Sequence, residues 1–421
     1  MALSPVTSLR NGTPMIYAAY QAQSDLMDPI RAWAQASRAA IGQLTRFAGS
    51  YAPDILHKMA ASAELLGRAT LTHTRPPYGI DRVMVGNREA QVTEHAVMTA
   101  PFGTLLNFRK DVAIAQPRVL VVAPLSGHFA TLLRGTVKTL LAEHDVYITD
   151  WHNARDVPLA EGRFGFDDYV AYVIRFLEEM GPGSHVLAVC QPCVQVLVAA
   201  AVMAANGNPA QPASMTLMAG PVDTRVNPTK VNELAMSKPM TWFEENLISA
   251  VPDRLPGAGR RVYPGFVQLS AFVSMNMQRH VKAHADMYEH LAKGETEKAD
   301  VIKAFYDEYF AVLDLDAEFY LETVQYVFQE ALLPRGELTF RGEKVDPGAI
   351  RKTALLTVEG ERDDICALGQ TVAAHDLCRN LKPYLKRHHM QAGVGHYGVF
   401  SGRKWDGQIY PIVRNMILAN G

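Results

Sequence analysis

HVLAVCQPCVQVLVAAAVMAAN, residues 185–206, decides the fold. Cys190 and Cys193 have the spacing of a redox pair or of half a zinc site. Their flanks point elsewhere. His185–Cys190 is a short apolar run that predicts a buried parallel strand, and Val194–Ala205 predicts the helix that follows it. A zinc site would need Cys366 and Cys378 as its second pair, but eleven residues separate those two instead of the usual two to four. A thioredoxin-like pair expects a much shorter domain. The stretch therefore predicts a strand bending sharply into a helix, with Cys190 at the bend.

Similar units lie on both sides. Arg118–Leu125, Asp145–Trp151 and Ser214–Ala219 read as strands. Phe129–Leu141 shows one apolar helical face, and Asp167 and Asp168 are placed to cap a helix running through Leu177. This alternation means βαβ units and a parallel sheet covered on both faces. It stops over residues 224–345, which are mostly helical in pattern. It resumes with a strand at Thr353–Gly360, a helix over Gln370–Leu381, a strand near His388–Ala392 and a helix over Ile409–Leu418. Residues 15–70 carry amphipathic helical stripes, expected to pack as a layer over the core.

The expected fold class is α/β: a mostly parallel, doubly wound sheet of α/β-hydrolase type with an inserted helical cap domain. The expected division is an N-terminal helical region over 1–90, a first part of the core over 91–223, the cap over 224–345 and the rest of the core over 346–421.

The 421 residues carry 41 basic and 43 acidic side chains, a net charge of −2, without the basic excess of a nucleic-acid binder. Four cysteines imply no disulfide framework, so a reducing compartment is expected. The N-terminal stretch lacks the pattern of a secretory signal, and the longest apolar run (196–205) is too short to span a bilayer. A cytoplasmic protein with no membrane span is the expectation.

In doubly wound sheets, ligands bind beyond the carboxyl ends of the strands. Three reactive side chains fall there: Cys190, Asp363 and His396. The order nucleophile, acid, histidine is that of α/β-hydrolase triads. A helix N-terminus and a nearby histidine both favour thiolate over thiol, and an acid would orient the imidazole. The backbone N–H of Gln191 and those of Leu125 or Ser126, in the loop after the first strand, are candidates for an oxyanion hole. His128 in that loop is a candidate for substrate binding, and could instead be an oxyanion-loop residue or a satisfied surface histidine. Asp364 and Asp223 remain rivals for the acid. A lone cysteine ending an apolar strand is most often a core residue; three candidates at strand ends in triad order outweigh that. The elbow Ala188-Val-Cys190-Gln-Pro192 departs from the usual pattern, which has glycine on both sides of the nucleophile.

The phrases VVAPLSGHFATLLRGTV (121–137), YITDWHNARDVP (147–158), VCQP (189–192), GRRVYPGF (259–266), FYDEY (305–309), TVEGERDDI (357–365), GQTVAAHDLC (369–378) and GHYGVFSGR (395–403) resemble the intracellular poly(3-hydroxybutyrate) depolymerases. The likeness runs over nearly the whole chain. It implies a cysteine-nucleophile α/β-hydrolase with Cys190 as nucleophile, Asp363 as acid and His396 as base, needing no metal and no cofactor. It implies as partner the amorphous polyester at the surface of intracellular storage granules. A second copy of the chain is carried as a further expected partner; nucleic acid is not. Trp242, Tyr263 and Phe266 in the cap are candidates for contact with the polymer, although such aromatics usually serve packing. Two alternatives are a synthase-like acyltransferase using coenzyme A thioesters and a non-catalytic granule-surface protein.

Overall fold

The computed structural model describes residues 14–48, 54–112 and 114–421. The stretch 1–13, which holds most of the segment read as carrying no secretory signal, lies outside the described residues. Two helices come first, α1 (Pro14–Ala48) and α2 (Asp54–Arg68). Three antiparallel strands follow, β1 (Arg82–Val85), β2 (Arg88–Ala100) and β3 (Gly103–Lys110). Then the alternation runs β4 (Arg118–Val122), α3 (Arg134–Leu141), β5 (Asp145–Trp151), α4 (Phe166–Met180), β6 (His185–Val189), α5 (Cys193–Ala205) and β7 (Ser214–Met218).

The inserted segment holds α6 (Lys230–Met236), α7 (Met240–Leu247), β8 (Ser249–Ala250), β9 (Arg261–Tyr263), α8 (Gly265–Met275), α9 (Met277–Ala292) and α10 (Thr296–Tyr309). It continues through β10 (Leu315–Asp316), α11 (Ala317–Thr323), α12 (Leu332–Arg335), β11 (Thr339–Phe340) and β12 (Glu343–Lys344). The chain then re-enters the main sheet with β13 (Ala354–Gly360), α13 (Ala374–Leu377) and β14 (Lys386–Gln391), and closes on α14 (Gly402–Lys404) and α15 (Tyr410–Leu418).

Nine strands form one sheet in the order β1-β2-β3-β5-β4-β6-β7-β13-β14. From β5 to β14 every neighbouring pair is parallel. β6 and β7 are buried along their whole length, as the apolar run without alternation required. Each fully buried valine or leucine there contributes about 1.5–3 kcal/mol of transfer free energy. This is the α/β-hydrolase fold.

Four expectations need correction. The helical N-terminal region ends at Arg68 rather than near 90, and 82–110 is sheet; in β2 polar residues alternate with apolar ones, so no apolar run announces it. α1 and α2 pack on each other and on α9 and β8 of the insertion, rather than on the main sheet. The insertion contains a small sheet, β10-β9-β8, besides its helices. The helix expected over Gln370–Leu381 shrinks to α13. There the buried carboxylate of Glu359 accepts from the backbone N–H groups of Gly369, Thr371 and Val372, which holds the chain out of a helix.

The base of the insertion is tied down by buried charge. Arg260, 2% exposed, pairs with Asp316 at 2.8 Å and donates to the carbonyls of Val157, Pro158 and Gly162. Asp314, fully buried, accepts from the Tyr17 hydroxyl at 2.6 Å and from the Gly265 N–H at 2.9 Å.

Burial pushes the His128 and His185 imidazoles down to about 4. An unfolded histidine takes up its proton near pH 6.5. As the pH falls between these values the unfolded chain binds protons that the fold refuses, so stability drops by about 1.4 kcal/mol per pH unit for each histidine. The urea midpoint is therefore expected to be lower at pH 5 than at pH 7, with a shallower difference in His128→Gln. Equal midpoints at the two pH values would rule the account out.

Candidate active site

β6 ends at Val189, and the chain turns at Cys190 with φ of +66°. A side chain with a Cβ is strained there, by about 1–2 kcal/mol. The turn is held from several sides. The Cys190 N–H donates to the Met218 carbonyl at 2.7 Å, and the Cys190 carbonyl accepts from the Cys193 N–H at 3.1 Å. Pro192 precedes the first residue of α5, where its missing N–H costs nothing.

The elbow lacks its usual glycines, and the room comes from the neighbouring strand. A Cβ on Gly220, just past β7, would lie 2.2 Å from the Cys193 Cβ and 2.7 Å from the Cys190 carbonyl oxygen. Thr371 clamps this glycine, its hydroxyl donating to the Gly220 carbonyl at 3.0 Å and accepting from the Gly220 N–H at 2.9 Å. Gly220→Ala is expected to destabilise the protein by about 3 kcal/mol or more, since backbone has to move, and to displace Cys190. Urea unfolding measures the first effect and ester cleavage the second; an unchanged midpoint would show that the elbow has room to spare.

Asp363 lies three residues past β13. Its Oδ1 accepts from the N–H groups of Ile365 (2.9 Å) and Cys366 (2.8 Å), and its Oδ2 lies 2.8 Å from Nδ1 of His396. Both side chains are buried. A carboxylate only accepts, so Nδ1 carries the proton and Nε2 is left for Cys190. Burial works to lower the His396 pKa. The charges of Cys190 and Asp363, and hydrogen bonds to both, outweigh it and raise His396 well above its ordinary range. The rivals are placed otherwise: Asp364 is exposed, and Asp223 is engaged by Arg225 at 2.8–2.9 Å.

Cys193 is buried, its Sγ 3.5 Å from the Ala188 carbonyl and 3.6 Å from that of Met218. Burial first, then the neighbouring Cys190, pushes its thiol well up. All four cysteines are unbridged. Among the described residues no group of three or more His, Cys, Asp or Glu is arranged to hold a metal ion.

The loop after β4 faces the elbow. The Leu125 N–H donates to the side-chain carbonyl of Gln191 at 3.4 Å, a long contact that a stronger acceptor could replace. The backbone N–H groups of Gln191 and Ser126 make no hydrogen bond among the described residues. Gly127, at φ +92°, gives its carbonyl to the Leu313 N–H at 3.0 Å. His128 is a structural anchor in this arrangement: it is buried, 3.2 Å from the Tyr309 carbonyl, with its ring against Phe272 and Tyr309.

The cap aromatics serve packing. Tyr263 stacks on Tyr320 at 3.8 Å, Phe266 stacks on Tyr20 at 4.1 Å, and half-buried Trp242 sits against Phe243. Residues that sequence reasoning missed include Glu359, Thr371 and Tyr397. Tyr397 has its ring 5.9 Å from His396, and burial, Tyr309 and Cys190 all push its phenol up. A charged residue inside the apolar run ALLTVEG was the available signal for Glu359.

Residues 219–421 match the family model described as PHB de-polymerase C-terminus. Over that stretch, a little under half of its length, the chain is similar to the PHB depolymerase family. The matched region contains Gly220, Asp363 and His396, while Cys190, Gln191 and Leu125 precede it. The coarse activity that accompanies a PHB depolymerase is hydrolysis of a carboxylic ester. No curated protein matches the sequence. Among solved structures, a monoglyceride lipase variant from Saccharomyces cerevisiae is 10% identical, with TM-score 0.46, over 82% of this chain and 99% of its own. An α/β hydrolase from a Penicillium species is 14% identical, with TM-score 0.44, over 79% of this chain and 98% of its own. Likenesses this remote carry no functional argument for this chain; its fold is read from the strand order itself. No helix among the described residues is long and apolar enough to cross a membrane.

Proposed function

We propose that this chain hydrolyses the ester links of amorphous, granule-bound poly(3-hydroxybutyrate) through Cys190, His396 and Asp363. The observation that carries the reading is the placement of Cys190 at a positive-φ elbow facing a buried His396–Asp363 pair.

The Cys190 thiolate attacks the ester carbonyl carbon. The carbonyl oxygen takes up negative charge and is held by the N–H groups of Gln191 and of Leu125 or Ser126. The tetrahedral species collapses and expels the alcohol end of the polymer, which takes the Nε2 proton of His396. A thioester on Cys190 remains. His396, now neutral, removes a proton from water; the hydroxide adds to the thioester carbon and expels Cys190 as thiolate. The carboxylic acid end leaves, and the thiolate–imidazolium pair is restored. Asp363 holds the imidazole's orientation and stabilises the imidazolium throughout.

Incubation with native amorphous granules tests the substrate. Release of 3-hydroxybutyrate or its oligomers into solution is the expected result. Adding coenzyme A should leave the yield of free acid unchanged. Acyl-coenzyme A in place of free acid would assign the chain to acyl transfer, and an inert granule suspension beside active cleavage of a soluble ester would reject the polymer as substrate.

A further inference from the structure

α1 shows solvent an apolar seam. Ile30, Trp33, Ser37, Ala40, Leu44 and Phe47 recur at alternating steps of three and four, with Trp33 67% and Phe47 95% exposed. Large apolar side chains exposed in a row mark an interaction surface. The period of 3.5 is that of a helix docking on a helix; a flat surface requires no such regularity. The seam lies apart from the face of α1 that carries Tyr17, Tyr20 and Ala34 toward the rest of the chain.

We propose that α1 pairs antiparallel with α1 of a second copy of this chain. Closed two-fold pairing requires a self-complementary patch, in which residue i meets j and j meets i. The seam has that property. An antiparallel register sets Ile30 against the partner copy's residue 47, Trp33 against its residue 44, and Ser37 against its residue 40. Bulky layers then close both ends, and small residues at the crossing let the helices approach. Positions flanking a seam decide partner choice through their charges, and in a two-fold pair like charges meet. Here the flanks are Pro29, Ala36 and Gln43 on one side and Ile41 on the other, all uncharged. The charges of α1 that have partners are used within the chain: Asp25 with Arg254, Asp28 with Arg31 and Arg38 with Glu64. A helix lying on an anionic surface would instead carry a basic rim.

The inference is independent of the chemistry proposed for Cys190. Size-exclusion chromatography with light scattering on the full chain at micromolar concentration reads it. The wild type is expected at twice the 46.4 kDa chain mass. Trp33→Glu and Leu44→Lys should each run at the single-chain mass, with helical content and soluble-ester cleavage unchanged. An equimolar mixture of the two should return to the double mass, because the antiparallel register places one new charge opposite the other. A monomeric wild type, a dimer indifferent to Trp33→Glu, or a mixture that stays monomeric would each overturn the pairing. Loss of adsorption to a polyester film by Trp33→Glu at unchanged single-chain mass would assign the seam to a particle surface instead.

Discussion

Cys190→Ala is expected to lower kcat/KM on a soluble short-chain ester by about 10⁴-fold or more, while Cys193→Ala stays within about threefold of wild type. The two thiols are three residues apart and differ in every respect that matters to reactivity. Cys190 is partly exposed at the strained elbow and faces His396. Cys193 points back into the sheet toward two backbone carbonyls. Truncating Cys193 removes one buried sulfur and costs about 1 kcal/mol of stability. Truncating Cys190 removes the atom to which the acyl group would be transferred, and leaves only what the loop N–H groups and binding can supply. Equal losses in the two variants would return the pair to a joint role and sink the single-nucleophile mechanism.

Asp363→Asn is expected to cost about 10³–10⁴-fold, with little change in KM. The mechanism of the loss is specific. Oδ1 is committed to the N–H groups of Ile365 and Cys366, so an asparagine keeps its oxygen there and turns its amide N–H₂ toward His396. The imidazole must then present Nδ1 as acceptor and place its proton on Nε2, the tautomer that cannot take a proton from water. The pH profile separates this from mere damage. The Asp363 charge helps to raise the His396 pKa, so removing it lowers that pKa. The imidazolium is then lost at lower pH, and residual activity that depends on it falls off earlier as the pH rises. Asp364→Asn, at an exposed position, should leave both rate and profile in place. A profile unmoved by Asp363→Asn would remove Asp363 from the acid's role.

Much of the central sheet could be read in the sequence because parallel strands buried on both faces are written as short apolar runs. Asp145–Trp151 was legible to the residue, and HVLAVC and SMTLMA nearly so. Strands β1 and β2 were not, because exposed positions dilute their apolar signal, and β3, although buried over most of its length, is broken up by Gly103, Thr104 and Asn107. The site was legible to the extent that it depends on residues at strand ends. Its supports were not: Gly220 contributes by having no side chain near an element almost thirty residues away in sequence, and Glu359 looks like an ordinary strand-end polar residue until its three N–H donors are seen. Single aromatic residues were the weakest guide, since Tyr263 and Phe266 are consumed by neighbours that sequence distance conceals.

The buried attachment at the root of the insertion bears on how a long chain reaches Cys190. Swinging the whole segment outward as one body would tear Arg260 from Asp316 and from three carbonyls, and each broken buried ion pair costs about 3–5 kcal/mol. It would also pull Tyr17 from Asp314 and so drag α1 along. α10 has ties of its own, Lys303 with buried Glu64 of α2 and Glu308 with Arg134 of the core, whereas ion pairs within α9 and at its end are exposed ones such as Lys282–Asp286 and Lys293–Glu289. If the proposed polymer is the substrate, it must reach Cys190 past an insertion whose root serves as a fixed post.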